Sequence, residues 1–250
     1  MLVISLVFLA ALKSDLVEVI EGDLPIVITA PHGGVLSIPG AEIRKDTSLP
    51  QFVTVLDTRT DVLARETAKE VELAFRKKPW AVIAKFSRKF ADANRSARTG
   101  TESEAARLVH AEYHDAVRKA VDAVRAKFGK GILLDIHAQS ADAKTVFRGT
   151  QNLTTVKGLS DEVLFGPKSF LGYLEGHGVI VFPKMKDSHD LENSKYDGGY
   201  TVQKYGLGHD NGVMAIQLEF GANYRTMKAI PETAKKLATA LKSCVDEFPR

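Results

Sequence analysis

The feature that most constrains the fold of this 250-residue chain is the alternation of short apolar runs with longer amphipathic segments. Short apolar runs favour strands, and when helical segments separate them they indicate an α/β domain with a largely parallel sheet. The candidate strands are residues 16–20, 26–29, 80–86, 132–136, 179–182 and 213–220. The last four are almost continuously hydrophobic, which predicts strands that are covered on both faces.

Three segments have the apolar periodicity of helices. Apolar residues recur at helical spacing over residues 64–75 and again over 234–248. A long helix is predicted over 102–128, ending at Gly129, since glycine is the commonest residue just past a helix. No repeat, low-complexity tract or linker interrupts the pattern. We therefore expect a single three-layer α/β/α domain with a mixed, mainly parallel sheet.

The composition excludes several classes of protein. Hydrophobic residues make up 44% of the chain, enough for a substantial core without disulfides. The formal charge is only +3, and the charges are interspersed, so no face is built for a nucleic acid. The single cysteine, Cys244, rules out an internal disulfide and a cysteine-based zinc site. We expect it in the core.

Residues 2–12 form an apolar run that allows two interpretations. The run has the length of a signal peptide, but no positive charge precedes it and Lys13 stands where small residues should mark cleavage. A bilayer requires roughly 20 apolar residues, so no stable membrane association is expected. Residues 1–14 are thus either a weak signal peptide or a first strand, and 15–250 form the single domain. The cellular location stays open.

Two predicted strand ends carry a histidine. His32 follows the apolar run 26–29, and His137 follows 132–136. Open α/β sheets bind ligands at the carboxyl ends of their strands, and two glycines after His32 allow a metal or substrate to approach the backbone closely. Neutral imidazole is a good zinc ligand, and Asp135 on the same strand face can fix the tautomer of His137. A turn histidine and a buried structural histidine are the alternatives.

Two further strand ends carry charged or polar groups. Glu219 lies near the end of a strongly apolar run, where an unpaired charge is costly to bury, and near a metal it can act as a general base. Arg88, Asn94 and Arg95 follow another strand and can bind a substrate carboxylate or polarise a carbonyl. A surface carboxylate and a solvated arginine-rich loop are the alternatives. Long polar segments at 31–49 and 184–211 are predicted loops.

These elements, in this order, resemble the N-formylglutamate amidohydrolase family, a branch of the carboxypeptidase-like zinc hydrolase superfamily. The resemblance extends from Val27 to Arg225. It also includes residues 57–64, Tyr113-His114, 147–150, 198–200 and 215–219. It implies a zinc-peptidase-like fold and a Zn²⁺-dependent enzyme that cleaves the amide bond of an N-formyl or N-acyl amino acid.

By this resemblance His32 and His137 are zinc ligands. Zinc carboxypeptidases place a glutamate three residues after the first histidine, a position that Val35 occupies in this chain. We therefore expect Asp57, at the start of a helix after the strand-like segment 52–56, to be the third ligand. Asp61, one helical turn later, is the alternative. A carboxylate that only stabilises the helix dipole is the structural alternative for Asp57.

The same resemblance assigns the remaining roles. It makes Glu219 the general base and Arg88 the group that stabilises the oxyanion together with the metal. Around the substrate it places Asn94 and Arg95 on the carboxylate, and Arg148 and Tyr200 at the rim of a closing loop. The other histidines are predicted to be peripheral: His110 on a solvated helix face, His114 near the site, and His177, His189 and His209 in surface loops.

Two other functions remain open at this point. One is a zinc carboxypeptidase or peptidoglycan-type peptidase on the same scaffold. The other is a non-catalytic relative that binds a small acidic ligand. In each case the expected partner is a small molecule, either an acidic N-acyl amino acid or a short peptide.

Overall fold

The structure is a computed structural model that describes residues 15–209 and 211–246. The signal peptide or strand predicted within residues 1–14 lies outside the described residues. The seven strands are β1 (Val17–Ile20), β2 (Ile26–Ala30), β3 (Trp80–Ala84), β4 (Ile132–Ala138), β5 (Thr145–Gly149), β6 (Ile180–Phe182) and β7 (Met214–Phe220). They form one sheet in the order β1-β3-β2-β4-β7-β5-β6. Only β1 with β3 and β5 with β7 pair antiparallel, which confirms a mixed, mainly parallel sheet.

Helices cover both faces of this sheet. They are α1 (Thr60–Phe75), α2 (Ala97–Gly100), α3 (Glu104–Phe128), α4 (Asp161–Phe165), α5 (Phe170–Gly176), α6 (Tyr200–Tyr205) and α7 (Ile230–Asp246). The three helices predicted from periodicity are present as α1, α3 and α7. Helix α3 begins after Ser103, whose hydroxyl accepts from the Ala106 amide, and ends at Gly129 with φ 72°.

Two apolar layers divide along the alternation of the central strands. In β4, Leu134 belongs to the layer packed under α1 and α7, whereas Leu133 belongs to the layer packed under α3. Adjacent residues of a strand point to opposite faces, so one strand supplies both cores. Cys244 is buried in the α7 layer, as expected. The described residues thus form a single three-layer α/β/α domain, and none of their helices combines the length and apolar character needed to span a membrane.

Several local predictions are wrong. Strand β6 is an edge strand with Ile180 46% and Phe182 41% exposed, so only one of its faces is covered. Residues 52–56 form no strand, and the predicted loop 184–211 contains helix α6. Strand β5 has no counterpart among the candidate strands, since Thr145 and Arg148 interrupt its short apolar run.

The parallel strands β2, β3, β4 and β7 bring their carboxyl ends to one edge of the sheet. The β4–β7 register pairs His137 directly with Glu219. His32 follows β2 by two residues, and the segment 87–95 follows β3. The candidate site residues at the predicted strand ends therefore lie together at this edge, which is where open α/β sheets bind their ligands.

Candidate active site

Three buried side chains, His32, Asp57 and His137, converge at the carboxyl edge of the sheet. Each offers one nitrogen or oxygen atom, and these atoms all lie within 4.8 Å of one another. Asp57 Oδ2 lies 3.0 Å from His137 Nδ1 and 3.4 Å from His32 Nδ1. Asp61, the alternative to Asp57, instead pairs with Arg65 at 2.7 Å and is outside the cluster.

Asp57 reaches this position from an irregular segment. Its backbone N–H donates to the His32 carbonyl at 3.2 Å, which ties the segment to the end of β2. A Cβ on Gly33 would lie 2.4 Å from the Asp61 nitrogen, and one on Gly34 would lie 2.3 Å from the carbonyl carbon of Lys85. The two glycines therefore admit the start of α1 and the end of β3. This corrects the expectation that they admit a metal or substrate.

The second nitrogen of each histidine is held by another carboxylate. His32 Nε2 lies 2.7 Å from Asp92 Oδ1, and His137 Nε2 lies 3.0 Å from Asp135 Oδ2. Asp135 in turn accepts from the Thr29 hydroxyl at 2.7 Å. Both imidazoles therefore present Nδ1 to Asp57, and the buried Nδ1 of His32 makes no hydrogen bond to any described residue. Carboxylate–histidine pairs of this kind orient metal ligands and fix their tautomer.

The electrostatics of this cluster favour a cation. Burial lowers the pKa of His137, but Asp135, Asp57 and Glu219 outweigh it and hold that pKa well above its usual value. Burial raises the pKa of Asp57, yet the two histidines hold it below its ordinary range. The cluster thus consists of two imidazoles surrounded by ionised carboxylates, and these carboxylates attract positive charge. Two imidazole nitrogens and one carboxylate oxygen fit the ligand set of a catalytic zinc site.

Arg88 is buried and bound to two of these carboxylates. Its Nη1 lies 3.3 Å from Asp57 Oδ1, and its Nη2 donates to Asp92 Oδ2 at 2.8 Å. Arg44 supports the same loop by donating from Nε to the Arg88 carbonyl at 3.1 Å. Arg44 and Asp92 are site residues that the sequence analysis did not assign. For Asp92, the only sequence signal was its place four residues after Arg88.

Glu219 is buried beside His137. Gln217 Nε2 donates to Glu219 Oε1 at 2.9 Å, while Gln217 Oε1 accepts from Asn94 Nδ2 at 3.1 Å and from the Gly199 amide at 2.7 Å. Burial raises the pKa of Glu219 from 4.5 to about 8, and Asp57 adds to the shift against the opposing charge of His137. Gln217, two residues before Glu219 on the same strand face, is a further site residue that the sequence analysis missed.

The histidines of α3 support the segment that carries Asn94 and Arg95. His110 Nε2 lies 2.9 Å from the Arg95 carbonyl, and His114 Nε2 lies 2.8 Å from the Ala93 carbonyl. Both side chains are buried, so the prediction of a solvated His110 is wrong. Burial lowers the pKa of His114 to about 3, which leaves it a neutral hydrogen-bond donor.

A pocket of about 630 Å³ opens over this edge. Its lining includes His32, Asp57, Arg88, Asn94, Arg95, His137, Tyr196, Gln217, Glu219 and Arg225. Arg95 donates to the carbonyls of Asn94 at 2.7 Å and Gln51 at 3.3 Å, and it forms no ion pair with a carboxylate of the described residues. Its positive charge therefore remains available to the pocket.

Arg148 and Tyr200 do not line the pocket. In the β5–β7 register Phe147 lies opposite Glu219, so the adjacent Arg148 points to the other face of the sheet. There it is fully buried and donates to Glu192 at 2.7 Å, which corrects its expected place at the rim. The Tyr200 ring lies 5.1 Å from His114 instead. The loop histidines are exposed, as predicted.

The geometry distinguishes the two candidate carboxylates for a metal. If the cluster binds zinc, Asp57→Asn should reduce the bound zinc strongly, because it removes the charge of the one carboxylate in the buried cluster. Asp61→Asn is the matched control, since Asp61 is paired with Arg65, and its zinc content should equal that of wild type. Metal analysis of the three purified proteins checks this. Zinc loss in the Asp61 variant alone would exchange the two assignments.

Comparisons with known proteins identify a family and similar folds. Residues 99–224 match the family model of N-formylglutamate amidohydrolase, just over half of the chain. An N-formylglutamate amidohydrolase from Ralstonia eutropha superposes with a TM-score of 0.61 at 15% identity, covering 92% of this chain and 97% of that one. A gene product from Agrobacterium tumefaciens gives 0.59 at 14% identity, covering 94% and 96%. No curated protein sequence matches significantly.

The fold and the matched family model together define the class of this protein as an amidohydrolase. Within that class, the chain belongs to the N-formylglutamate amidohydrolase family. The family resemblance stated from the sequence is thereby confirmed. The structural matches, at 15% identity and below, support the fold and not the choice of substrate.

Proposed function

We propose that this chain is a zinc-dependent amidohydrolase that cleaves the amide bond of an N-formyl or N-acyl amino acid. The observation that carries the proposal is the buried cluster of His32, Asp57 and His137 beside Glu219 in one pocket. Family membership supports the amide bond as the bond that is cleaved. The unpaired Arg95 in the same pocket supports an acidic substrate.

His32 Nδ1, His137 Nδ1 and Asp57 Oδ2 are the atoms that would hold the metal. When bound, Zn²⁺ supplies Lewis-acid chemistry that polarises an amide carbonyl and acidifies water. Asp92 and Asp135 bind the Nε2–H of the two imidazoles, which leaves Nδ1 as the nitrogen of each ring that would bind the metal. In the metal-free protein the raised pKa of His137 keeps a proton on its Nδ1, beside Asp57, and metal binding would displace that proton.

Glu219 is the proposed proton carrier. Its carboxylate takes a proton from the attacking water as the water oxygen bonds to the amide carbon, and it passes that proton to the nitrogen as the C–N bond breaks. Gln217 orients the carboxylate by donating to Oε1. The products are the free acid of the acyl group and the amine of the amino acid.

Arg88 supports the reaction chiefly by position. Two of its nitrogens already donate to Asp57 and Asp92, so it orients a metal ligand and the carboxylate that supports His32. Arg88 also lines the pocket, and its buried Nε–H has no hydrogen-bond partner among the described residues, so it can still favour a developing oxyanion.

Arg95 is the proposed anchor for the substrate carboxylate. A guanidinium binds a carboxylate bidentately and specifically, so Arg95→Ala should lower kcat/KM for an N-acyl amino acid far more than for the corresponding amide. The steady-state constants of both substrates measure the difference. Lys195→Ala, which removes an exposed cation from the same pocket, is the comparison. Equal losses on acid and amide would assign Arg95 a structural role.

The function itself is tested on the purified protein. We expect about one zinc per chain, the stoichiometry of a three-ligand site, and hydrolysis of at least one N-acyl amino acid in a panel with varied acyl and side chains. Chelation should abolish hydrolysis, and added zinc should restore it. Turnover of peptides alone would indicate a peptidase instead. Binding of acidic ligands without turnover would indicate the non-catalytic alternative.

A further inference from the structure

Tyr196 is a pocket residue with no role in the mechanism given so far. It lines the pocket together with Glu219, His32 and Asp57. Its ring is half-buried, and its hydroxyl forms no hydrogen bond with any of the described residues. A phenol that lines a catalytic pocket and has an uncommitted O–H is a donor available to substrate.

The position of the Tyr196 ring is set by stacking. The ring lies parallel to Phe147, with 5.1 Å between centroids and 18° between planes. Phe147 is itself fixed by an edge contact with Phe182 at 5.6 Å. Because Phe147 is the register partner of Glu219 across β5 and β7, the stack places Tyr196 over the face that carries Glu219.

The backbone on both sides of Tyr196 is also fixed. The Tyr196 amide donates to the Asn193 carbonyl at 2.7 Å, and the Asp197 carbonyl accepts from the Gln151 amide. Gly149 lies so close that a Cβ there would be 2.5 Å from the Tyr196 carbonyl oxygen. These contacts hold the residue in place before substrate binds, which is what a preorganised donor requires.

The charge environment keeps the phenol protonated. Burial raises the pKa of Tyr196, and the negative charges of Glu219 and Asp57 raise it further. The phenol lines the same pocket as both of these carboxylates. It remains a neutral donor at the pH values where the enzyme would work.

We propose that Tyr196 is a further catalytic residue, whose O–H donates a hydrogen bond to the amide oxygen as that oxygen becomes negatively charged. The role rests on the proposed amidohydrolase function. It adds a neutral donor to the charge of Arg88, two of whose nitrogens already bind Asp57 and Asp92. No covalent bond to Tyr196 forms, and its proton stays on the phenol.

Tyr196→Phe tests the role, since it keeps the ring stacked on Phe147 and removes only the hydroxyl. Losing one oxyanion donor typically lowers kcat by about 10²–10³-fold, and we expect that range with KM and zinc content near wild type. A phosphonamidate analogue of the substrate, which carries a charged oxygen at that position, should lose affinity in similar proportion. Affinity for the product amino acid should be unchanged.

Tyr173→Phe is the matched control, because Tyr173 stacks on His177 away from the pocket and its variant should behave as wild type. A Tyr196→Phe enzyme with normal kcat, or with raised KM alone, would overturn the catalytic role. A wild-type protein that hydrolyses no N-acyl amino acid would instead overturn the proposed function and this role with it. The two failures are thus distinguishable.

Discussion

Replacing Glu219 with glutamine should lower kcat by about 10²–10⁴-fold, the usual cost of losing a general base, while zinc content stays near wild type. The amide keeps the shape of the side chain, and its oxygen can still accept from Gln217. It cannot take a proton from water. Substrate should still bind, since the metal cluster and Arg95 are untouched. Steady-state kinetics, metal analysis and calorimetric binding measure these three quantities.

Folding stability gives an independent readout for the same variant. The folded pKa of Glu219 in the metal-free protein is raised from 4.5 to about 8, so folding takes up a proton between these pH values. The stability of the metal-free wild type should therefore fall as pH rises through this window, and Glu219→Gln should lose that part of the dependence. Denaturant titrations at several pH values measure it.

Glu162→Gln serves as the control for Glu219→Gln, because Glu162 is exposed on α4 and should be silent in every assay. The contrary pattern for Glu219→Gln is near-normal kcat with lost zinc or lost stability. That result would make Glu219 a metal ligand or a structural residue, and another carboxylate of the pocket would have to carry the proton.

The strands that the sequence predicted well are those at the centre of the sheet. β3, β4 and β7 are buried on both faces, so their apolar runs are nearly continuous, and each run is too short for a buried helix. Strand β5 escaped prediction because Arg148 breaks its apolar run. Strand β6 was predicted, but its expected coverage on both faces was wrong because an edge strand can be equally apolar. Whether a strand lies at an edge depends on pairing, which no local pattern contains.

The residues of the candidate site likewise fall into those that the sequence predicted and those that it did not. His32, His137 and Glu219 were found because their signal is local: a polar group at the end of an apolar run. Asp92 lies 60 residues from its partner His32, and Gln217 lies 123 residues from Asn94, so their contacts exist only once the sheet forms. Residues that orient others are, for this reason, the hardest to predict from sequence.

Arg148 shows that the type of a residue does not reveal on which face of the sheet its side chain lies. One step along β5 separates Phe147, on the side of Glu219, from Arg148 on the opposite side. Since side chains alternate along a strand, only the β5–β7 register decides which of the two lines the pocket. Arg148 was therefore assigned to the rim of the substrate pocket from its place in a family motif, although it forms a buried ion pair with Glu192.

Arg148→Met should consequently destabilise the protein rather than weaken substrate binding. The guanidinium and the Glu192 carboxylate are both fully buried, with 2.7 Å between Arg148 Nε and Glu192 Oε1. Arg148 Nη2 also donates to the Ser188 carbonyl at 3.0 Å. Removing one partner of a buried pair leaves an uncompensated charge and typically costs about 3–5 kcal/mol. Denaturant unfolding should show this loss, while KM of the folded enzyme stays near wild type.

Two comparisons separate the buried charge from lost packing. Arg148→Met combined with Glu192→Gln removes both charges and should recover part of the stability, although the amides of Thr150 and Asn152 that donate to Glu192 lose an ionised acceptor. Arg118→Met breaks an exposed pair with Asp115 and should cost less than about 1 kcal/mol. If Arg148→Met raised KM at unchanged stability, the arginine would have to reach the substrate after all, and the register of β5 against β7 would need to differ from the one described.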